Sequence, residues 1–597
     1  MQRHVQGPGA TAAASERRLF VWAPACQQVE IEVAGGRRAL ERGERGYWTL
    51  PDPPLPDGAR YAFRLDGSDP LPDPRSDFQP EGVHGPSVWL EHGAFHWNDV
   101  SFRPEPLERA VIYELHVGTY SPEGTFDGCR ARLDHLVELG VTHVELMPVV
   151  EFSGRRGWGY DGVDLFAPHH AYGTPDDLKR LVDACHGRGL AVLLDVVYNH
   201  LGPEGNYLER FGPYFTSEYA TPWGKALNFD GAASDEVRRF FCDNALYWLE
   251  HYHFDGLRLD AVHAILDRSA RPFLEQLADE VRDLSERLGR RKVLIAESDL
   301  NDPRLLRAAP SGGHGLDAQW SDDFHHALHA LATGESTGYY ADFGALEDLA
   351  RALTRGFVYA GQYSEYRRRA HGRPIGEVPL SRLFGYIQNH DQIGNRAVGD
   401  RIGAALSPGQ LEAVAALVLL GPFVPMVFQG EEWNASSPFC YFTDHQDPGL
   451  AEAVRTGRRR EFVAFGWSAE SIPDPQADGT FEASKLRWAE LLSAAHRRCL
   501  DWYRALIRLR RSEPSLDEFA PPDVTLHGRC LVLRRGELLV ACNFGADSVE
   551  LPSGEATHLL LGTPGSALSA APAGPLLRLP PGAAAVLRGA ARGAAVG

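Results

Sequence analysis

Apolar and polar residues follow three different patterns along the chain, and each pattern predicts a different region. From residue 17 to about residue 97, short stretches such as VEIEV alternate apolar with polar residues, and Gly, Pro and Asp separate these stretches at close intervals. Successive side chains of a strand point to opposite faces, so the alternation indicates strands with one buried face. We predict a small β-sandwich over residues 15–100, preceded by a disordered tail at residues 1–14.

The middle of the chain alternates short apolar stretches with longer amphipathic ones, a pattern typical of parallel strands joined by helices. The predicted strands are residues 111–117, 143–148, 191–198, 256–262, 292–297, 315–320, 384–391 and 423–430. They predict a closed (β/α)8 TIM barrel over residues 101–513. A doubly wound open sheet is the alternative, but no G-x-G-x-x-G sequence follows a first strand.

The last part of the chain returns to short β stretches such as VTLHG, CLVLRRG and ELLVACNF. We predict a C-terminal β-sandwich domain over residues 514–597. The fold class expected for the whole chain is therefore α/β, with a TIM barrel flanked by an N-terminal and a C-terminal β-sandwich.

Composition and charge narrow the classes of partner. Of the 597 residues, 44% are hydrophobic and 23% are charged, as in a globular protein, and the formal net charge is −20. Nucleic acids and anionic membranes are bound through clustered Lys and Arg, so we expect neither as a partner and favour a neutral ligand. The most apolar run, residues 413–428, is interrupted by Gly and Pro and is too short to span a bilayer.

The cysteines and the N-terminal residues indicate the compartment. The eight cysteines are scattered and form no C-x-x-C pair, which predicts neither a zinc site nor a disulfide framework. The N-terminal residues contain no apolar segment typical of a signal peptide. We therefore expect a cytoplasmic protein.

The sequence GLRLDAVH at residues 256–263 holds the first candidates for chemistry. In a strand, Arg258 and Asp260 point to the same face, so a buried carboxylate lies beside a buried guanidinium. A fixed positive charge lowers the pKa of a neighbouring carboxyl by about 1–3 units. Asp260 is therefore expected to be ionised at neutral pH.

Two further carboxylates, Glu297 and Asp391, end other predicted strands, where barrels of this kind hold their active sites. Three carboxylates without phosphate-binding glycines, a Schiff-base lysine or a nucleophilic cysteine fit the cleavage of a glycosidic bond. Arg258 makes Asp260 the ionised nucleophile. Glu297 follows an apolar run and lies near two Asp charges, so we expect it to be the protonated acid. Asp391 would hold the ring hydroxyls of the sugar.

Metal-assisted hydrolysis is the rival chemistry, because histidines and carboxylates are also metal ligands. The close histidine pairs are His169 with His170, His251 with His253, and His325 with His326. None of these pairs lies at the C-terminal end of a predicted strand. We therefore expect packing or surface roles for them and no metal site.

Two aromatic rings, Trp158 and Tyr160, lie in the glycine-rich loop GWGYDG after the second predicted strand. Rings set among glycines have few neighbours to pack against, so we predict a platform for a sugar face rather than core packing. The basic clusters at residues 367–369 and 458–460 are expected to be solvated faces of loops.

Four segments, DVVYNH, GLRLDAVH, AES and NHDQIGN, resemble the conserved segments of the alpha-amylase superfamily, in the same order. The resemblance covers the whole barrel and also implies an N-terminal carbohydrate-binding-like module. It implies that Asp260 is the nucleophile, Glu297 the general acid/base and Asp391 the transition-state stabiliser. The residues implied to surround the attacked glucose are Tyr160, His200, Arg258 and His390.

The same resemblance bears on the neighbouring sugar and on metals. It implies that His263 contacts the sugar beyond the cleaved bond. Asn199 is a calcium ligand in many amylases, but the segment LGPEGNYL that follows it has no acidic cluster to complete such a site. We therefore expect neither a metal nor a cofactor.

Other stretches, among them PDPRSDFQPEGVHGPS, TPWGKALNFDG and PFCYFTDH, resemble the maltooligosyltrehalose trehalohydrolases within that superfamily. This implies hydrolysis of the α-1,4 bond next to the terminal trehalose of maltooligosyltrehalose, with retention and release of trehalose. The alternatives are a glucan transferase such as glycogen branching enzyme and a non-catalytic scaffold, although all three carboxylates are present. Candidates for recognising the trehalose end are Gln392, Trp223, Phe357, Tyr359 and Tyr363.

Overall fold

A computed structural model describes residues 17–463, 471–516, 521–553, 556, 558–572 and 574–589 of the chain. The predicted disordered tail, residues 1–14, lies outside the described residues. The N-terminal region forms a three-stranded and a four-stranded antiparallel sheet. Its strands are Phe20–Trp22, Val29–Val33, Gly36–Ala39, Glu41–Arg42, Tyr47–Thr49, Arg60–Leu65 and Ser87–Val88.

The alternation of apolar and polar residues in this region arises because one face of the sheet is buried. In the strand Val29–Val33, Val29 and Ile31 are buried, and they lie opposite Leu65 and Phe63 of the strand Arg60–Leu65. The polar residues between them are more exposed, so one face of the sheet carries the core.

The predicted TIM barrel is confirmed. Eight parallel strands close on themselves in chain order. Every residue of these strands is buried, which explains why their sequences are mostly apolar and do not alternate strictly between apolar and polar residues. The strands are Ile112–Leu115, His143–Leu146, Ala191–Val196, Gly256–Leu259, Val293–Ala296, Ala318–Trp320, Leu383–Gly385 and Val424–Phe428.

Helices cover the barrel and several close its ends. The helix Pro175–His186 shows how local sequence sets such a start, because Thr174 and Asp177 form a capping box and Pro175 occupies the first turn. The described α-helices of this region are Val117–Tyr120, Phe126–Arg130, Leu133–Leu139, Pro175–His186, Leu208–Phe211, Ser234–His251, Phe273–Leu288, Asp322–Thr333, Leu346–Arg355, His390–Gly394, Pro408–Leu420, Pro448–Val463, Asp478–Ser484 and Ala494–Ser512.

Short hairpins lie in the connections between the barrel strands. They pair Val150–Glu151 with Asp164–Pro168, Phe215–Thr221 with Gly224–Leu227, and Tyr363–Ser364 with Arg369–Ala370. The connections within the first two hairpins supply Trp158, Tyr160, Asp161 and Trp223 to the wall of the cavity described below.

The seventh predicted strand, residues 384–391, is wrong in its second half. The strand ends at Gly385, and a short helix, His390–Gly394, follows it. The Asn389 side chain caps this helix by accepting a hydrogen bond from the Gln392 backbone N–H at 2.7 Å. Asp391 therefore lies in the first turn of a helix and not on a strand.

The most apolar run of the chain forms the helix Pro408–Leu420 and the eighth barrel strand. The helix is buried along most of its length because it contacts both the helix Ala494–Ser512 and the C-terminal sheet. Within the described part of the chain, no helix combines enough length with enough apolar character to cross a bilayer.

The C-terminal region forms a five-stranded and a three-stranded antiparallel sheet. Leu539 and Ala541 of one sheet and Leu577 and Leu579 of the other belong to the same buried cluster. The strands are Asp523–His527, Cys530–Arg535, Leu538–Asn543, Val549–Pro552, His558–Gly562, Ala567–Ser569, Leu576–Leu579 and Ala584–Arg588. The boundaries between the three regions, after residues 100 and 513, stay predictions.

Candidate active site

A cavity of about 560 Å³ opens at the C-terminal ends of the barrel strands. Its volume is in the range usual for small-molecule sites. The three predicted carboxylates, Asp260, Glu297 and Asp391, all line it. The other lining residues are Trp158, Tyr160, Asp161, His200, Trp223, Ala261, His263, Asn395, Tyr441, Thr443, Val454 and Arg458.

Arg258 lies beneath this cavity and is fully buried. Its Nη1 donates to Asp260 Oδ1 at 2.7 Å and to Asp195 Oδ2 at 2.9 Å, and its Nη2 lies 3.7 Å from Glu297 Oε2. The barrel register places it there, since Arg258 lies beside Asp195 of the third strand. One guanidinium therefore contacts carboxylates from three strand ends.

Asp260 follows the fourth strand and is held as a carboxylate. Burial by itself favours the neutral acid, but Arg258 and the Asn199 amide hold the pKa of Asp260 below its ordinary value. Asn199 Nδ2 donates to Asp260 Oδ2 at 2.7 Å. Both oxygens of Asp260 thus have a fixed donor, and the donor Arg258 is the one that the sequence predicted.

Glu297 follows the fifth strand and has the opposite electrostatic environment. Burial raises the pKa of Glu297 well above its ordinary value, and the charges of Asp260, Asp322 and Asp391 add to that rise against the effect of Arg258. The Ala261 backbone N–H donates to Glu297 Oε2 at 2.6 Å. Two neighbouring carboxyls with pKa values displaced in opposite directions are the pattern of a nucleophile and an acid.

Ala261 adopts a left-handed backbone conformation, with φ of 38°. A residue with a Cβ rarely takes this conformation, and such residues cluster at functional sites. It lies two residues after the strand end at Leu259, and its N–H donates to Glu297. This explains why the predicted strand, residues 256–262, ends at Leu259.

Asp322 is a fourth carboxylate that the reading of the sequence missed. It lies two residues after the sixth barrel strand and accepts a hydrogen bond from the Tyr386 hydroxyl at 2.5 Å. Burial raises the pKa of Asp322 to about 6, and nearby carboxylates including Asp391 contribute to the rise. The sequence could have indicated Asp322, because active-site residues are expected at the end of every barrel strand, and the sixth strand ends just before Asp322 as the fifth ends just before Glu297.

Asp391 is the most exposed of the three predicted carboxylates, with 39% of its side chain accessible. The His390 Nε2 atom lies 3.6 Å from Asp391 Oδ2. The His390 Nδ1 atom bonds to Glu114, a residue of the first barrel strand that the sequence reading also missed. Burial disfavours the imidazolium, yet Asp391 and Glu114 raise the pKa of His390 to about 9.

Tyr160, predicted to stack on the attacked sugar, lines the cavity. It stacks on the His390 ring at 5.1 Å, and its hydroxyl donates to Asp195 Oδ2 at 2.6 Å. The same hydroxyl lies 2.6 Å from His390 Nε2. These contacts fix the ring at the cavity wall.

The packing expected for Trp158 is wrong. The ring is only 5% exposed, stacks on Phe439 at 5.3 Å, and donates its Nε1–H to the Cys440 carbonyl at 3.0 Å. The neighbouring glycines do not leave the Trp158 ring exposed to solvent, because residues from the loop after the eighth strand cover it. Trp158 lines the cavity, but most of its surface is in the core.

The remaining predicted binding residues divide into two groups. His200 and His263 line the cavity, and His200 stacks on Trp223 at 4.8 Å. Gln392 does not line it; this residue borders a neighbouring small cavity, and its side chain accepts a hydrogen bond from the Tyr339 hydroxyl at 3.3 Å. Gln392 is therefore not among the residues that line the cavity of the three carboxylates.

Asn199 does not fit a calcium ligand. Its Nδ2 faces Asp260, and its amide oxygen lies against His200 Nδ1, so protein groups occupy both ends of the amide. Because the amide oxygen is the atom that would bind calcium, no chemistry at this site is assigned to that ion.

A separate histidine cluster corrects one detail of the metal argument. His169 and His170 directly follow the strand Asp164–Pro168, so one histidine pair does lie at a strand end. Among the described residues, Glu151, His169 and His170 place ligand atoms close enough for a metal ion. Both Nδ1 atoms already lie within 3.2 Å of the Glu151 carboxylate, which explains the cluster as hydrogen bonding.

The basic clusters are only in part the solvated loop faces that were predicted. Residues 458–460 lie in the helix Pro448–Val463, and Arg458 lines the cavity. Arg367 is only 11% exposed and lies 3.3 Å from Asp299. In both clusters, one arginine turns inward and its neighbours remain outside.

Comparison with known proteins gives three kinds of match. The alpha amylase catalytic domain model matches residues 89–221, and a domain of unknown function, DUF3459, matches residues 519–586. The malto-oligosyltrehalose trehalohydrolase of Arthrobacter ramosus is 53% identical over 83% of this chain and 88% of its own. The 1,4-alpha-glucan branching enzyme of Bacillus caldolyticus is 30% identical over 65% of this chain and 64% of its own.

A solved structure from Salmonella typhimurium, described as an alpha amylase, superposes on nearly the whole chain. It has a TM-score of 0.89 and 38% identity, and the match covers 98% of this chain and 100% of that one. The arrangement of barrel and flanking β domains is therefore shared with a known structure.

Proposed function

The chain belongs to the malto-oligosyltrehalose trehalohydrolases of the alpha-amylase superfamily, and we propose that it hydrolyses the α-1,4 bond next to the terminal trehalose of maltooligosyltrehalose. Asp260 is the nucleophile, Glu297 the general acid/base and Asp391 the transition-state stabiliser in this proposal. The observation that supports it most is the pair Asp260 and Glu297, which share the Arg258 guanidinium but have pKa values displaced in opposite directions.

In the first step, the ionised Asp260 attacks the anomeric carbon of the glucose that carries the scissile bond. Glu297 gives its proton to the glycosidic oxygen as the bond from carbon to that oxygen breaks. Because Glu297 Oε2 accepts the Ala261 N–H, the proton resides on Oε1. Trehalose leaves with the proton, and the maltooligosyl chain is esterified to Asp260.

In the second step, water attacks the same carbon and Glu297 takes a proton from that water. The ester bond breaks, Asp260 leaves as a carboxylate, and Glu297 is protonated again. Two inversions at one carbon return the α configuration, so the anomeric configuration is retained in the product.

The residues around the attacked glucose support the developing positive charge. Asp391 presents its carboxylate group to the ring, and the Tyr160 ring, held by its stacking on the buried His390, forms one wall. Arg258 does not contact the sugar in this proposal; it holds Asp260 in line for attack.

Water as the acceptor separates this function from that of the branching enzyme relative. Both reactions use the same first step, and they differ only in what attacks the ester on Asp260.

No metal or cofactor is required, the partner is the oligosaccharide, and neither nucleic acid nor membrane is assigned a role. A cytoplasmic location is supported by the eight cysteines, all of which are free thiols.

The test is incubation with maltooligosyltrehalose and, separately, with maltopentaose, followed by product analysis. We expect free trehalose from the first and little cleavage of the second, and Asp260→Asn as a control should release no trehalose. New α-1,6 linkages formed from amylose would show a transferase instead and reject the proposal.

A further inference from the structure

Residues of several loops line the cavity around the catalytic carboxylates, and Glu297 identifies the side that takes the leaving group. The acid must lie beside the leaving group, and Glu297 contacts Ala261, two residues before His263 on the cavity wall. In the proposed function the leaving group is trehalose, so that side takes the trehalose. The maltooligosyl chain then extends in the other direction.

The wall beyond Asp391 is formed by the segment after it and by the helix Pro448–Val463, which we call the mouth helix. Asn395 lies one turn after Asp391, and Asn395 Nδ2 donates to Asp391 Oδ1 at 3.3 Å. Arg458 of the mouth helix donates from Nη1 to Asn395 Oδ1 at 3.5 Å and from Nη2 to the Gly394 carbonyl. The mouth helix is thus joined to the segment that carries Asp391.

Arg458 is also fixed by an aromatic ring. Its guanidinium lies 5.2 Å from the centre of the Tyr441 ring, and Tyr441 in turn packs edge to face against Trp158 at 5.2 Å. Both Arg458 and Tyr441 line the cavity. A planar guanidinium held by a ring and a carbonyl is a preorganised donor, because little rotamer freedom is left to lose when a ligand binds.

We propose that Arg458, held by Tyr441 and Gly394, binds the second glucose of the maltooligosyl chain, counted from the cleaved bond, and so makes the enzyme favour substrates with two or more glucose units beyond trehalose. This rests on the proposed function. Sugar hydroxyls accept hydrogen bonds, and a charged donor makes them stronger than a neutral one does. A substrate with a single glucose beyond trehalose has no unit that reaches Arg458.

The experiment measures kcat/KM for trehalose release from substrates with one, two and three glucose units beyond trehalose. The ratio of the two-unit value to the one-unit value should fall at least about tenfold in Arg458→Ala, the loss expected for a hydrogen bond from a charged group. Arg459→Ala is the matched control, because Arg459 is its exposed neighbour on the same helix, and the ratio should stay as in the wild type.

A binding measurement in the Glu297→Gln background gives a readout without turnover. Arg458→Ala should raise the Kd of maltotriose at least about tenfold and leave the Kd of trehalose unchanged. Equal losses on all substrates would mean a structural role, and a raised Kd for trehalose alone would put Arg458 on the leaving-group side; either result overturns the proposal. If the wild type releases no trehalose, the proposed function fails, whereas maltotriose binding still decides the role of Arg458.

Discussion

Asn199→Ala is predicted to make Asp260 harder to ionise and therefore to cost activity at low pH. The Asn199 amide donates to Asp260 Oδ2 at 2.7 Å and to the Asp260 carbonyl oxygen at 3.0 Å. Burial opposes ionisation of Asp260, and this amide is one of the groups that hold its pKa below the ordinary value. Removing the amide takes away stabilisation of the charged form only.

The size of the effect follows from the contact. A hydrogen bond to a charged group contributes about 1.5–3 kcal/mol, and one pKa unit corresponds to about 1.4 kcal/mol. The pKa of Asp260 should therefore rise by about 1–2 units in the variant. Because Asp260 attacks only when ionised, the acid limb of the pH profile should move to higher pH by the same amount, with activity lost as the pH falls through the raised pKa.

The assay is kcat/KM against pH with maltooligosyltrehalose, which reports groups of the free enzyme. Asn395→Ala is the matched control, since this asparagine donates to Asp391 at 3.3 Å, whereas the side-chain donors to the Asp260 carboxylate among the described residues are Arg258 and Asn199. Its acid limb should coincide with that of the wild type. If the acid limb of Asn199→Ala also coincides with the wild type, Asp260 is not the group whose ionisation starts the reaction.

Three further changes have defined outcomes. Asp322→Asn removes a charge that raises the pKa of Glu297, so the alkaline limb of kcat/KM should move to lower pH. An unchanged alkaline limb would mean that Asp322 does not influence the pKa of the general acid. Glu114→Gln removes one of the two carboxylates that raise the pKa of His390 to about 9, and a titration of the imidazole by NMR should show a lower pKa. Trp158→Ala should destabilise the protein by about 3–5 kcal/mol, as for other buried aromatic residues, which calorimetry would record as a lower Tm; an unchanged Tm would contradict the core packing of this ring.

The barrel could be predicted because each of its features is local. A strand buried on both faces is mostly apolar, and each was followed by an amphipathic helix or a loop. The pairing of Arg258 with Asp260 was also local, because two residues in a strand share a face. Asp391 was displaced from its predicted strand by Asn389, whose capping of the next turn is a recognisable signal for a helix start.

The features that were missed depend on residues far apart in the chain. Trp158 is covered by Phe439 and Tyr441, which lie about 280 positions later and meet it only when the barrel closes. Arg458 reaches the cavity because the mouth helix folds back over the strand ends, which no local pattern indicates. Asp322, in contrast, was within reach of the strand-end rule.

The central claim, that Asp260 forms a covalent bond with the sugar and Glu297 then activates water, has one direct test. The Glu297→Gln variant is incubated with an α-glucosyl fluoride, whose leaving group needs no acid, and the protein is digested and examined by mass spectrometry. We predict that the glucosyl-enzyme accumulates, because the base for its hydrolysis is missing, and that the added sugar is found on Asp260. A sugar on any other residue, or steady turnover without a labelled enzyme, would contradict this mechanism.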